Sequence, residues 1–236
     1  MKCVAISFFA LLALTAFAAA FIPSLDLAVS GFFYKPDAGF FLADHPVFVA
    51  LHWLAVKGAW ALGGVFGVLA LVSFLRRKPI GGSAAKGWLF LFLALLIGPV
   101  LIANVGLKDH WGRARPREVT EFGGAAHFSQ ALILQPVAHS NGSFVSGDGA
   151  FGFFLPSFAY LAPLPARRRT SRRLFWGGTA VGCAFGLARI AMGAHFLSDV
   201  LFAALLMLAA SAVLHLAMFG RCTTQACWQN WLGFGD

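Results

Sequence analysis

Charge is scarce in this chain. Only 11% of its 236 residues are charged, and nine are acidic, whereas soluble globular chains carry about 25%. Cysteine is sparse as well. Cys3, Cys183, Cys222 and Cys227 form no CxxC pair and stand at no ligand spacing from a histidine, which argues against a zinc site and a disulfide framework. No internal repeat of the inverted-transporter kind is visible. What the chain has instead is apolar surface: 59% hydrophobic residues, with 26 Phe and 7 Trp. A water-soluble fold of this size could not cover it. A cytosolic enzyme and a disordered segment are excluded, and an integral membrane protein remains.

Six apolar stretches fit spans, at 4–23, 47–75, 87–107, 149–165, 174–193 and 199–219. Each can cross a hydrocarbon layer about 30 Å thick. The first also resembles a secretory signal, with Lys2 before an apolar run that ends in Ala18-Ala19-Ala20. The net charge of +9 is not a nucleic-acid stripe, because it is segregated by loop. Arg76, Arg77, Lys78 and Lys86 lie between spans two and three, and Arg167, Arg168, Arg169, Arg172 and Arg173 between spans four and five. The acidic residues other than Asp236 fall on the opposite side or at helix ends. The positive-inside rule makes the basic side cytoplasmic. The expected architecture is a single domain over 1–236: an all-α integral membrane bundle of six transmembrane helices with both termini cytoplasmic. Gly178, Gly182 and Gly186, and likewise Gly63 and Gly67, recur every four residues, a spacing that lets helices pack closely within the chain.

Ionisable groups at membrane depth are costly and therefore informative. They gather in three segments, 108–116, 145–149 and 189–199, all on the outer side. Lys108, Arg115 and Arg189 supply three cations, enough to neutralise a phosphate and the added charge of its transition state. Ser146 and Gly147 open a helix, offering unpaired N–H groups and the positive end of its dipole. His195 and Asp199 are four apart and share a helix face. A carboxylate bonded to one ring nitrogen fixes the tautomer and leaves the other free to attack. Together they describe phosphoryl transfer through a phosphohistidine.

At these residues the chain resembles the type 2 phosphatidic acid phosphatase superfamily of membrane phosphatases, with motifs K-x6-RP, PSGH and SR-x5-H-x3-D. Lys108 to Arg115-Pro116 matches the first motif. Arg189, His195 and Asp199 match the third, with Ala188 where serine is usual. The middle motif departs: Val145-Ser146-Gly147-Asp148 has Val for Pro and Asp for His. The resemblance implies that Lys108, Arg115, Arg189 and the backbone around Ser146-Gly147 bind phosphate, that His195 is the nucleophile, and that Asp199 is its partner. It implies no metal and no cofactor. The family's PSGH histidine protonates the leaving oxygen; here that role falls on Asp148, raised in pKa by the bound phosphate, or on nothing, if the leaving group is good. The nearest subgroup is the bacterial lipid phosphatases, including those acting on lipid A.

The expected function is a lipid phosphate or lipid diphosphate phosphatase at the outer face of a bacterial inner membrane. Its expected partners are the substrate lipid and the bilayer, with no nucleic acid or protein. The alternatives are a lipid phosphotransferase using the same intermediate and a non-catalytic lipid-binding protein. Among the remaining features, His110 reads as an interfacial neighbour of Lys108 and Lys57 as snorkelling or packing. The segment from Asp26 to Pro46 reads as an aromatic turn lying on the membrane, 118–143 as a headgroup cover and 221–236 as a cytoplasmic interfacial tail.

Overall fold

A computed structural model of the chain describes residues 2–135, 141–161 and 168–220. Its helices are α1 (Lys2–Phe21), α2 (Pro23–Gly31), α3 (Pro46–Arg76), α4 (Ala85–Leu95), α5 (Gly147–Phe154), α6 (Arg168–Ala191) and α7 (Leu197–Phe219). The only strands among the described residues are two short ones, β1 (Tyr34–Lys35) and β2 (Gly39–Phe40), paired antiparallel. The fold is all-α.

Among the described residues, four helices are long and apolar enough to cross a membrane: Pro46–Arg76, Ala85–Lys108, Arg169–Ala191 and Leu197–Phe219. A fifth span is added if Ala10–Phe21 and Pro23–Gly31, bent by 89°, count as one. The bend follows from Pro23 at the start of α2, because a residue before proline is pushed out of the helical region and Ile22 sits at φ −110°, ψ 87°. The stretch 149–165 is not one regular helix. The eight-residue α5 passes into a tighter 3-10 segment, Leu155–Leu161, where Pro156 has no N–H for an α-helical bond. Every α5 residue from Asp148 to Phe154 is buried, so α5 is the centre of the bundle and packs on α6, α7 and α3.

Beyond Leu95, α4 continues as a wider π-helix over Leu96–Lys108. Pro99 inside it breaks the regular ladder, and Asn104 Nδ2 donates 2.7 Å to the Pro99 carbonyl. The π-helix ends on Lys108, so this irregular stretch delivers the first motif.

The glycine repeat of α6 packs inside the chain, as expected. A Cβ on Gly182 would run into the Phe153 ring, on Gly186 into Val200, and on Gly178 into the backbone of Pro156. Ala16 and Ala20 of α1 are buried in the core cluster that holds Phe202 and Ala203 of α7, so the small residues of the signal-like segment serve as a packing face. Lys57 lies 5.3 Å from the Trp53 ring centroid. The tail at 221–236 and the basic residue Arg167 lie outside the described residues.

Candidate active site

The three motifs meet because backbone hydrogen bonds join them. After the π-helix the chain turns at Gly112, whose φ of +69° is one that glycine tolerates and where a Cβ would press on the Gln135 carbonyl. Ser143 then acts as a hub: its N–H donates to Arg113 O at 2.8 Å and its hydroxyl to Ala114 O at 3.0 Å. Gly142 N–H donates to Lys108 O at 2.8 Å, Arg117 N–H to Gly193 O at 3.0 Å and Ser146 N–H to Asp199 O at 3.3 Å.

Ser146 caps α5, its hydroxyl accepting from Gly149 N–H at 3.2 Å, and Gly147 follows where a Cβ would meet Asn104 Oδ1 at 2.9 Å. Both residues therefore sit at the helix start that the sequence indicates. Between α6 and α7 the chain reverses through Gly193, at φ +65°, where a Cβ would collide with the Phe40 ring. This reversal puts Arg189 at the end of α6 and His195 just before α7.

Lys108, Arg115, Asp148, Arg189 and His195 form one electrostatic neighbourhood. Lys108 feels Arg115, Arg189 and Asp148, while Asp148 in turn feels Arg189 and His195. Arg115 is buried, with one guanidinium nitrogen donating to Asn141 O at 3.0 Å and its N–H to Glu118 at 2.9 Å. Arg189 Nε lies 3.3 Å from Asp148 Oδ2, near enough for an ion pair, yet it finds no aligned hydrogen-bond partner. That leaves a buried guanidinium donor available to an anion.

His195 is 1% exposed. Its Nδ1 lies 2.6 Å from the Ser143 carbonyl. A carbonyl only accepts, so Nδ1 carries the proton and Nε2 of the neutral ring holds the lone pair. Burial, aided by Arg189 and Lys108 and opposed by Asp199, pushes the His195 pKa down to about 4. The ring is therefore neutral at neutral pH.

Asp199 differs from the expectation. It lies 3.8 Å from His195 Nδ1, too far for a hydrogen bond. Its oxygens are committed elsewhere: Oδ1 accepts from Arg113 Nη1 at 2.5 Å and Oδ2 from Phe196 N–H at 2.8 Å. The orienting bond to His195 comes from Ser143 O, and Asp199 contributes its charge from slightly further away.

Asp148 also differs. Burial raises its pKa, but the hydrogen bond from His52 and the Arg189 guanidinium outweigh this and hold it below the ordinary value. Without a phosphate beside it the carboxyl is an anion at neutral pH.

The sequence reading missed a buried ion cluster under the site. Asp26 was expected on the membrane surface, yet it is 0% exposed. Its oxygens accept from Arg113 Nη2 at 2.8 Å, Ser198 N–H at 2.8 Å and Ser198 Oγ at 2.5 Å. Arg113, 1% exposed, also donates Nε to Ser129 O at 2.9 Å and stands 4.5 Å from the Phe196 ring centroid. The signal available for Asp26 was a lone acid in an apolar stretch, and for Arg113 a cation inside the first motif. His110 Nδ1 lies 2.9 Å from the Val105 carbonyl on the exposed side.

Comparison with known proteins identifies the family. Residues 87–222 match the PAP2 superfamily. The chain is 32% identical over 200 residues to the lipid A 4'-phosphatase of Francisella tularensis subsp. novicida (strain U112), covering 84% of this chain and 88% of the relative. It is 43% identical over 106 residues to the lipid A 4'-phosphatase of Rhizobium leguminosarum, covering 45% of this chain and 44% of the relative. It is 44% identical over 173 residues to that of Rhizobium etli, covering 72% and 62%. No solved structure gave a significant match. With the three motifs joined by backbone hydrogen bonds and most of its length shared with the Francisella relative, this chain belongs to the PAP2 superfamily and is a membrane phosphatase.

Proposed function

We propose that the protein removes a phosphate monoester from a membrane lipid, with lipid A 4'-phosphate as the substrate, and does so through a phosphohistidine on His195. In this reading Lys108, Arg115 and Arg189 hold the phosphate oxygens, assisted by the Gly147 N–H at the start of α5, since Ser146 N–H is spent on Asp199 O. His195 Nε2 attacks phosphorus, the bond to the alcohol oxygen breaks, and water then cleaves the phosphorus–nitrogen bond. Asp199 and Ser143 O keep the ring in place and favour the cation formed when it is phosphorylated.

The observation that carries this reading is the His195 ring itself: neutral, buried, and held in the Nδ1–H tautomer by Ser143 O at 2.6 Å. A merely structural histidine gains nothing from being buried within the field of two cations, Arg189 and Lys108. The lipid class is taken from the relatives named lipid A 4'-phosphatases. The segregation of basic loops supports six spans with cytoplasmic termini, and a site on the periplasmic face of an inner membrane. There a lipid presents its headgroup while its tails stay in hydrocarbon.

The test is phosphate release from lipid A in detergent micelles by the purified protein and by His195→Ala. The reading expects release by the parent and a loss of about 10⁴-fold or more in the variant, as removal of a covalent nucleophile costs. Retained turnover in His195→Ala would end it.

A further inference from the structure

His52 stands in the second turn of α3, far in sequence from all three motifs, yet its Nδ1 lies 2.7 Å from Asp148 Oδ2. The same carboxylate oxygen is 3.3 Å from Arg189 Nε. One atom of Asp148 therefore links the imidazole of α3 to a guanidinium of the phosphate pocket. The His52 side chain is 37% exposed, against 11% for Asp148, so the ring stands open to an incoming molecule while the carboxylate behind it does not. An ionised carboxylate only accepts, which places a proton on His52 Nδ1. Nε2 has no hydrogen-bond partner among the described residues. The arrangement is an acid-oriented imidazole with one nitrogen facing outward.

An alkoxide leaving group must be protonated as it departs, and the pocket offers few donors. Asp148 is ionised. His195 is neutral and its single proton is held by Ser143 O. A proton taken from Lys108, Arg115 or Arg189 would remove the positive charge that each provides to the phosphate. From this we infer that His52, oriented by Asp148, is the general acid of the reaction. The inference rests on the phosphohistidine reading above.

The step balances. As the bond from His195 Nε2 to phosphorus forms and the phosphorus–oxygen bond breaks, the departing oxygen takes a proton from Nε2 of the His52 imidazolium. Neutral His52 then accepts a proton from the water that attacks phosphorus. The phosphorus–nitrogen bond breaks, its electron pair returns to His195, and inorganic phosphate leaves with His52 charged again. Asp148 stays ionised throughout and stabilises the imidazolium.

The experiment compares His52→Gln with the parent on two substrates in the same detergent preparation: lipid A carrying its 4'-phosphate and p-nitrophenyl phosphate. The first has an alcohol leaving group that needs a proton, and the second a phenolate that does not. The proposal expects kcat on the lipid to fall by about 10² to 10⁴-fold and on the aryl ester by less than about tenfold. The ratio within one preparation is independent of the folded fraction. A second readout is the pH profile on the lipid: the alkaline decline of the parent, set by loss of the acid's proton, should vanish in His52→Gln. Equal losses on both substrates, an undiminished lipid rate or an unchanged alkaline limb would overturn the proposal. His195→Ala separates the two readings. If it abolishes both substrates while His52→Gln shows no leaving-group dependence, the nucleophile stands and the acid falls. If His195→Ala still cleaves the aryl ester, the phosphohistidine itself falls.

Discussion

Arg113 Nη1 lies 2.5 Å from Asp199 Oδ1, and this contact, not one with His195, fixes the carboxylate at the head of α7. The other terminal nitrogen of Arg113 reaches Asp26 at 2.8 Å, so one guanidinium spans two carboxylates from different helices with all three groups out of water. Lysine has a single point of charge and cannot bridge both. Arg113→Lys is expected to destabilise the fold by about 3–5 kcal/mol, the cost of breaking a buried ion pair. Denaturant unfolding in detergent measures it, and turnover should fall with it because Asp199 is no longer held.

Asp26 gives an independent check of the same cluster. Asp26→Asn removes the charge facing Arg113 and puts an amide donor where both oxygens now accept. The expected loss is about 1–3 kcal/mol. An exposed residue in a surface turn would show no change, so an unaltered unfolding midpoint contradicts the buried position.

The protonation of His195 sets a pH window. Its pKa falls from 6.5 to about 4. A histidine depressed on folding is neutral in the native state, and stability is lost as pH falls through 6.5 towards 4, where the unfolded chain binds a proton that the folded one refuses. Nitrogen-15 NMR of labelled histidine should show residue 195 as the Nδ1–H tautomer between pH 6.5 and about pH 4. Titration near 6.5 would contradict it.

Gly193 holds the reversal between α6 and α7 at φ +65°, with the Phe40 ring where a Cβ would go. Gly193→Ala is expected to cost about 1–2 kcal/mol for the left-handed backbone alone, and more for displacing Phe40. Because Gly193 O also receives Arg117 N–H, the variant should lose activity in excess of its loss of folded protein. Activity per folded molecule, normalised by near-ultraviolet circular dichroism, is the measure.

Much of this was legible in the sequence, for identifiable reasons. Long apolar runs carry their own signal, so α3, α7 and the joined α4 and π-helix lie within two residues of the apolar stretches at each end, while α6 starts earlier, at Arg168, because its first turns are basic. Lys108, Arg115, Arg189 and His195, which the structure brings into one electrostatic neighbourhood, stood out because charge at membrane depth is expensive and therefore conspicuous. α5 was overextended because hydropathy does not register that Pro156 lacks the N–H an α-helix needs. Asp26, Ser143 and His52 act through contacts with residues distant in sequence: His52 meets Asp148 across 96 positions and Ser198 meets Asp26 across 172. No local period encodes such pairings. Asp199 does lie near His195, at 3.8 Å, but not on a shared helix face, because α7 begins only at Leu197; what occupies its oxygens depends on Arg113, which only the folded chain brings there.

The central claim is that His195 carries the phosphoryl group. Rapid quenching of the enzyme with phosphorus-32-labelled lipid A 4'-phosphate, followed by peptide mapping, tests it most directly. The account predicts an acid-labile, base-stable label on the peptide containing residue 195, formed within one turnover and absent in His195→Ala. Label on another residue, or full turnover with none of it bound to protein at any time, would contradict the account.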